Sequence, residues 1–138
     1  MRIFQIEGSE KSPWVWLDEK SGIMEISGVS AFHDPFPFYQ GLVRWIQAFN
    51  LGGHKTCTVN IRFEYLDEAS VTGMELILHQ LYKLGKENDR LSINWFYSRS
   101  NFLVKRVGML YARRSRVPFH VKEGTRDKGR GTSCVGGE

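Results

Sequence analysis

The stretch KTCTVNIRFEYLDEASVTG, residues 55–73, changes its hydrophobic period half way along and so decides the fold class. Apolar and polar residues alternate in its first half, and successive side chains of a strand point to opposite faces. The predicted inward set is Cys57, Val59, Ile61, Phe63 and Tyr65, opposite Thr56, Thr58, Asn60, Arg62 and Glu64. The period then becomes helical, with Met74, Ile77, Leu78, Leu81 and Leu84 on one side. The pattern predicts a strand that enters a helix through an acidic turn.

The turn itself reads Asp67-Glu68-Ala69-Ser70. Backbone N–H groups at a helix start lack partners, and the helix dipole favours negative charge there. Ser70 is predicted to be the N-cap of this helix, a role worth about 1 kcal/mol. The alternative role for its hydroxyl is that of a phosphoacceptor, since a phosphate would add about −1.5 to −2 charge beside two carboxylates.

The elements before this stretch are a β-hairpin and a helix. Residues 14–17 and 23–26 are β-prone and enclose turn-forming residues 18–22, and residues 2–6 are a short strand or a lead-in. A helix is predicted from about Pro37 to Asn50, because proline suits a first helical turn and glycines follow the end. Its predicted inner face carries Phe38, Leu42, Trp45, Ile46 and Phe49.

The elements after the stretch are a strand, a helix and a short strand. Residues 90–97 predict a strand, and Ser100 or Asn101 can cap a helix from about Phe102 to Arg114. The predicted inner face of this helix has Leu103, Val107 and Leu110, with Val104 and Tyr111 beside them. Residues 118–121 predict a closing strand, and residues 123–138 a flexible, Gly-rich polar tail. The fold class is α/β: one small domain over residues 1–122, with a mixed β-sheet, an N-terminal hairpin and about three helices.

Composition restricts the class of protein. The chain has 138 residues, of which 41% are hydrophobic, and it contains no apolar run near the ~20 residues of a membrane helix. We expect a cytoplasmic protein that does not bind membranes. Its two cysteines, Cys57 in the core and Cys134 in the tail, lack metal-ligand spacing and predict free thiols. Glycine-rich phosphate loops are absent, and no cofactor or metal is expected.

The positive charge is concentrated in one segment. The formal charge is +4, but residues 99–116 alone carry six cations and no acid. An acidic protein partner is the favoured interpretation of this segment. Phe102 and Tyr111 interleave its cations, so nucleic-acid binding is a minority alternative.

Two small clusters could carry chemistry. Glu64, Asp67, Glu68 and Glu75 surround the central turn, and paired carboxylates can perform acid–base work or bind Mg²⁺. His33-Asp34 could be a base with its orienting carboxylate. The helix dipole explains acids at a helix start, and His33-Asp34 precedes a proline in a loop, so structural roles are favoured for both.

Several short stretches over about residues 4–121 resemble, in order, the motifs of one known family. Ile6-Glu7-Gly8 and Ser12-Pro13 resemble its opening "IxGTxxTP", and residues 22–28 resemble its "GxxxxxG" strand. Residues 38–39 and 45–46 resemble aromatic residues of its first helix, and residues 62–66 resemble its strand end "xLxYxNTSS". Asn94-Trp95-Phe96-Tyr97 resembles "xWxY", and Val117-Pro118-Phe119 resembles "xPF". Together these stretches resemble the SiaC family of small bacterial regulatory phosphoproteins.

The resemblance implies a fold similar to STAS-type anti-sigma-factor antagonists and a non-enzymatic, partner-switching role. In such systems a Ser/Thr kinase phosphorylates the strand–helix turn, and a PP2C-type phosphatase removes the phosphate. The unphosphorylated form binds and activates a diguanylate cyclase, which raises cyclic di-GMP and favours biofilm. Candidate partner-binding residues here are Asp67, Glu68, Ser70, Arg99 and Arg106.

The chain departs from the family at the acceptor. The family turn reads "NTSS" with its threonine modified, whereas Glu68 stands at that position here. Three alternatives follow. Either Glu68 acts as a fixed negative charge that partly imitates the phosphate, or the phosphoacceptor is Ser70, with Thr72 as the less favoured acceptor. The third alternative is that control by phosphorylation has been lost. The third helix is also basic where relatives tend to be acidic. A monomer and a dimer remain alternatives, since a helix or a second chain could cover the polar face of the central strand.

Overall fold

The computed structural model describes residues 3–49, 56–87 and 90–124, and these form a single mixed sheet with three helices. The predicted α/β class is confirmed, and β1 is a true strand rather than a lead-in. In chain order the elements are β1 (Ile3–Ile6), β2 (Trp14–Asp18), β3 (Ile23–Ser30), α1 (Phe36–Ala48), β4 (Cys57–Leu66), α2 (Glu68–Glu87), β5 (Leu91–Tyr97), α3 (Phe102–Arg114) and β6 (Phe119–Glu123).

The six strands lie in the sheet in the order of the chain. β1, β2 and β3 pair antiparallel, which confirms the hairpin, and β3 to β6 pair parallel with one helix in each crossover. Right-handed crossovers that always step in one direction place their helices on one side of the sheet. The opposite face of β4, with Thr58, Asn60 and Arg62, is only partly buried, and none of the described helices covers it.

The core lies between the sheet and the helix layer. Cys57, Val59 and Ile61 of β4 are at most 1% exposed, as the alternation predicts, and Cys57 is a free thiol. The inner faces of α1 and α2 match the prediction in most positions. Trp45 is the exception: it is 38% exposed and stacks on Phe4 of β1, with 4.1 Å between ring centroids.

The predicted inward-facing set of β4 is wrong at its last residue, Tyr65. Tyr65 is 52% exposed, whereas Leu66 is buried. In the β3–β4 register Gly28 lies opposite Phe63 but Val29 lies opposite Tyr65, so Glu64 is an extra residue in a β-bulge. A bulge shifts the register by one residue and therefore turns the following side chains to the other face. Gly28 has a φ of 107°, which a side chain would disfavour.

The predicted inner face of α3 is rotated from the observed one. Leu103 and Leu110 are 50% and 39% exposed, while Val104, Val107, Gly108 and Tyr111 are buried. Gly108 determines this rotation because it lies against the indole of Trp95, where an added Cβ would be 2.3 Å from Cδ1. The indole Nε1 also donates a hydrogen bond to the carbonyl of Val104 at 2.9 Å.

The predicted boundaries are accurate to within a few residues. α1 begins at Phe36 and ends at Ala48, whereas the predicted end, Asn50, lies outside the described residues, as does Cys134. β6 continues through Glu123, and the N–H of Gly124 donates to the carbonyl of Tyr97 at 2.9 Å. Among the residues that the structure describes, no helix is long and apolar enough to cross a membrane.

Candidate functional site

The acidic turn lies at the edge of the sheet where the parallel strands β3, β4 and β5 end. Parallel strands bring their carboxyl ends to the same edge, and each of the three is followed by the start of a helix. The N–H of Asp67 donates to the carbonyl of Ser30 at 3.0 Å, which ties the turn to the end of β3. Ligands and partners of α/β proteins commonly bind at this edge.

Asp67, not Ser70, caps α2. The Asp67 Oδ1 atom accepts a hydrogen bond from the backbone N–H of Ser70 at 2.8 Å. Asp67 immediately precedes the first helical residue, and Ser70, as the third helical residue, has one of the backbone N–H groups that need an external acceptor. The predicted capping role of Ser70 is therefore wrong, although a side chain of this turn does supply the cap.

Ser70 belongs to a chain of buried hydroxyl groups. The Ser30 Oγ donates to the Ser70 Oγ at 2.7 Å, and the Ser70 Oγ donates to the Ser30 carbonyl at 3.2 Å. The Tyr39 hydroxyl lies 2.6 Å from the Ser30 Oγ and must donate to it, because the Ser30 proton is already used. Burial raises the pKa of Tyr39 to about 12, so this donor keeps its proton at physiological pH. Ser70 is 0% exposed.

Glu68 and Thr72 lie at the surface, in contrast to Ser70. Glu68 is the first residue of α2, and Thr72 follows it by one helical turn. Residues four apart on a helix are neighbours on its surface. The turn therefore presents a carboxylate and a hydroxyl to solvent on one side of α2.

A groove of about 660 Å³ opens at the same edge of the sheet and reaches the bulge. Within it the Arg62 guanidinium lies 3.9 Å from the ring centroid of Phe96, a cation–π contact. Asn101 connects the groove to the bulge and to the start of α3: its Nδ2 donates to the Glu64 carbonyl at 2.9 Å, and its Oδ1 caps α3 by accepting from Val104 N at 3.1 Å. The side chains along the groove include Ser9, Glu10, Trp14, Ser27, Arg62, Glu64, Phe96, Tyr97, Ser98, Ser100 and Asn101.

The two arginines named as partner-binding candidates lie after β5 and on α3 rather than in the turn. Arg99 follows β5 and forms an ion pair with Glu123, with 3.1 Å between Nε and Oε2. Arg106 lies in the middle of α3 and is exposed. Within the described part of the chain, neither of these arginines forms a hydrogen bond or an ion pair with Asp67 or Glu68.

One carboxylate has a structural role in each of the two clusters considered for chemistry, the acidic cluster around the central turn and His33-Asp34. The carboxylate of Asp67 caps α2, and the carboxylate of Asp34 accepts from Phe36 N at 3.3 Å at the start of α1. Within residues 3–49, 56–87 and 90–124, no three His, Cys, Asp or Glu side chains are grouped so that they could hold a metal ion.

Sequence reasoning missed Ser30 and Tyr39, which hold Ser70 in the core. Both are distant from the turn along the chain, and neither stands in a local pattern that signals a polar contact. Asn101 could be found, because an Asn before a helical pattern is a recognised cap signal.

Comparison with known proteins places this geometry in a family. The family model described as "SiaC family regulatory phosphoprotein" matches residues 6–124. An uncharacterised protein of Pseudomonas aeruginosa strain UCBPP-PA14 is 22% identical over 122 residues, which cover 88% of this chain and 97% of that protein.

Solved structures of SiaC from Pseudomonas aeruginosa have the same fold. The crystal structure of apo-SiaC has a TM-score of 0.77 at 22% identity, over 88% of this chain and 99% of that one. SiaC in the crystal structure of the diguanylate cyclase SiaD in complex with its activator SiaC also has a TM-score of 0.77. There the identity is 21%, over 88% of this chain and 99% of that chain.

Proposed function

The chain belongs to the SiaC family of regulatory phosphoproteins, and we propose that it is a non-enzymatic, cytoplasmic regulator that binds and controls a diguanylate cyclase. The family match over residues 6–124 carries this proposal. Support also comes from the similar Pseudomonas aeruginosa protein, which is an activator of the diguanylate cyclase SiaD. Cyclic di-GMP synthesis is then the output that this protein adjusts.

The surface around Glu68 is the proposed control point. A Ser/Thr kinase and a PP2C-type phosphatase would act there in a relative with threonine at this position. Glu68 is exposed and carries a fixed charge at a helix start, where negative charge is favoured. A carboxylate has one charge where a phosphate has about −1.5 to −2 and more oxygens, so Glu68 imitates the modified state only in part.

The positions of the hydroxyl groups favour Glu68 as the control point over phosphorylation of Ser70. A kinase would have to open the start of α2 to reach Ser70, because its side chain is fully buried and donates within the core. Thr72 is exposed, which makes it the more accessible of the two hydroxyl candidates. We infer that Glu68 sets the protein toward the weakly binding state, and that Thr72 is the remaining site where a phosphate could be added.

Cyclic di-GMP synthesis by a diguanylate cyclase of the same bacterium, measured with and without this protein, tests the proposal. We expect the protein to raise the rate, and Glu68→Thr to bind the cyclase roughly fivefold more tightly, which corresponds to about 1 kcal/mol. Glu75→Thr is the matched control, since Glu75 is also an exposed acid of α2. Equal affinity of the wild type and Glu68→Thr would contradict the role of Glu68.

Mass spectrometry of the protein from its own cells, with and without phosphatase treatment, tests the phosphorylation. A phosphate on Thr72 would show that control survives at a moved acceptor. A phosphate on Ser70 would show that the start of α2 opens in the cell. If the chain is unmodified under all growth conditions, the charge of Glu68 replaces reversible phosphorylation permanently.

A further inference from the structure

The outward side of α3 combines exposed apolar side chains with arginines. Phe102 is 71% exposed, and Leu103, Met109 and Leu110 are between 39% and 50% exposed. The other exposed large apolar side chains of the described residues are spread over six elements with at most two on each, whereas the four on α3, a helix of 13 residues, form a concentrated surface. We call this surface the α3 patch and define it as Phe102, Leu103, Arg106, Met109, Leu110 and Arg113.

Arg106 stands at the centre of the α3 patch. Residues three and four positions apart are neighbours on a helix surface. For Arg106 these neighbours are Phe102 and Leu103 on one side and Met109 and Leu110 on the other, so all four are apolar and exposed. An arginine that only solubilised the helix would be expected next to polar or acidic residues instead.

The charge of Arg106 has no carboxylate counterpart in the described part of the domain. No acid occurs between residues 99 and 116, and the cation of Arg99 pairs with Glu123 rather than with a group on α3. Arg113 and Arg114 end the helix, where the dipole favours cations, but Arg106 lies two turns earlier and lacks that explanation. Its guanidinium is available for a carboxylate from another molecule.

The composition of the α3 patch is that of a protein interface centre. Arg, Met and aromatic residues are enriched in such centres, and lysine and acids are depleted. The geometry points to the α3 patch as a docking surface for an acidic amphipathic helix of a protein partner, whose apolar stripe covers Phe102, Leu103, Met109 and Leu110 and carries a carboxylate for Arg106. Such a carboxylate can accept two parallel N–H bonds from the guanidinium.

The α3 patch and the turn at Glu68 belong to different helices, and the proposal does not rest on control of a diguanylate cyclase. One hydrogen bond joins these helices: the Tyr111 hydroxyl donates to the Val71 carbonyl at 2.8 Å. Tyr111 lies on the buried side of α3, so a partner on the α3 patch would not need to touch α2.

Fluorescence anisotropy with the full chain and a synthetic peptide tests the inference. The probe is a labelled helix of about five turns with leucines at i, i+3, i+4 and i+7, one glutamate within the leucine stripe and further glutamates on the flanks. The control peptide has the same residues in an order that destroys the stripe. We expect the designed peptide to bind at least about tenfold more tightly than the control peptide.

Variants locate the binding. Arg106→Glu should remove the preference for the designed peptide, and Arg106→Lys should weaken binding several-fold, because an ammonium cannot form the bidentate pair. Arg44→Glu is the matched control: Arg44 is an exposed arginine of α1, and the same charge change there should leave binding within about twofold. Circular dichroism of each variant confirms that the fold is retained.

Three results would overturn the proposal. The first is equal affinity for the two peptides, which would mean unspecific attraction of negative charge. The second is an unchanged affinity of Arg106→Glu, which would place binding elsewhere. The third is the absence of peptide binding, and if the protein then sediments with phosphatidylcholine–phosphatidylserine vesicles, the α3 patch contacts an anionic membrane instead.

Discussion

Ser30 and Ser70 are 40 residues apart in the chain, yet their side chains share a buried 2.7 Å hydrogen bond where β3 and α2 meet. The Tyr39 hydroxyl of α1 extends this contact at 2.6 Å from the Ser30 Oγ. A buried polar group is tolerated when its hydrogen bonds are made, and costs stability when they are lost. The start of α2 is therefore connected to the core through Ser70, whereas Glu68 and Thr72 lie at its surface.

Ser70→Asp should destabilise the domain severely, whereas Thr72→Asp should not. The first change buries a carboxylate among hydroxyl groups that already have partners, at a cost of roughly 3–5 kcal/mol. The second adds a charge to an exposed position, with an effect within about 0.5 kcal/mol. Thermal unfolding of both variants measures the difference, and a stable, soluble Ser70→Asp variant would show that Ser70 can leave the core.

Asp67→Ala should lower the free energy of unfolding by about 1 kcal/mol, because the N–H of Ser70 loses its acceptor. In a domain of this size the melting temperature should fall by roughly 2–6 °C. Asp67→Asn is the control, since asparagine caps helices as well as aspartate and should melt close to the wild type. Equal losses for both variants would mean that the charge, rather than the hydrogen bond, stabilises the turn.

Two glycines inside helices should respond in opposite directions to replacement by alanine. Gly108→Ala places a methyl group against the indole of Trp95 and should cost about 1–3 kcal/mol. Gly41→Ala in α1 meets no atom within 4 Å and should stabilise by about 0.5–1 kcal/mol. Urea unfolding measures both free energies, and a neutral Gly108→Ala would show that α3 can move away from β5.

The stability of the domain should fall in alkaline solution through Tyr39. The pKa of Tyr39 is raised from its usual 10.0 to about 12 because burial opposes the charged phenolate. A raised pKa means that the folded state holds its proton longer, so this contribution is complete below pH 10 and is lost as the pH rises toward 12. Its size is roughly 2–3 kcal/mol.

Tyr39→Phe isolates this contribution. The variant should lose about 1 kcal/mol at neutral pH because the hydrogen bond to Ser30 is removed. Its free energy of unfolding should then decline less than that of the wild type from about pH 10 to about pH 12. Cys57, whose pKa burial also raises, is present in both proteins and cancels in the comparison. The pKa of Tyr111 is raised by burial and also by the charges of Glu75 and Tyr39, so part of its effect is removed together with the Tyr39 hydroxyl. Parallel curves would exclude Tyr39 as the titrating group.

The candidate site could be located from sequence but not assembled from it. The acidic turn, the start of α2 and the unusual Glu68 are visible in consecutive residues. The burial of Ser70 depends on Ser30 and Tyr39, which reach it only because β3 lies beside β4 and α1 packs against α2. No local pattern encodes that contact.

By itself the sequence determined the elements and their type, because strands and helices repeat with periods of two and about 3.6 residues that hydrophobic side chains reveal. The cap signal at Asn101 and the limits of α3 followed from the same local chemistry. Only the tertiary structure decided the rest. The bulge at Glu64 turns Tyr65 outward, and Gly108 against Trp95 rotates α3 so that Leu103 and Leu110 face solvent. Both depend on contacts between strands and helices distant in the chain, where steric fit overrides the local pattern.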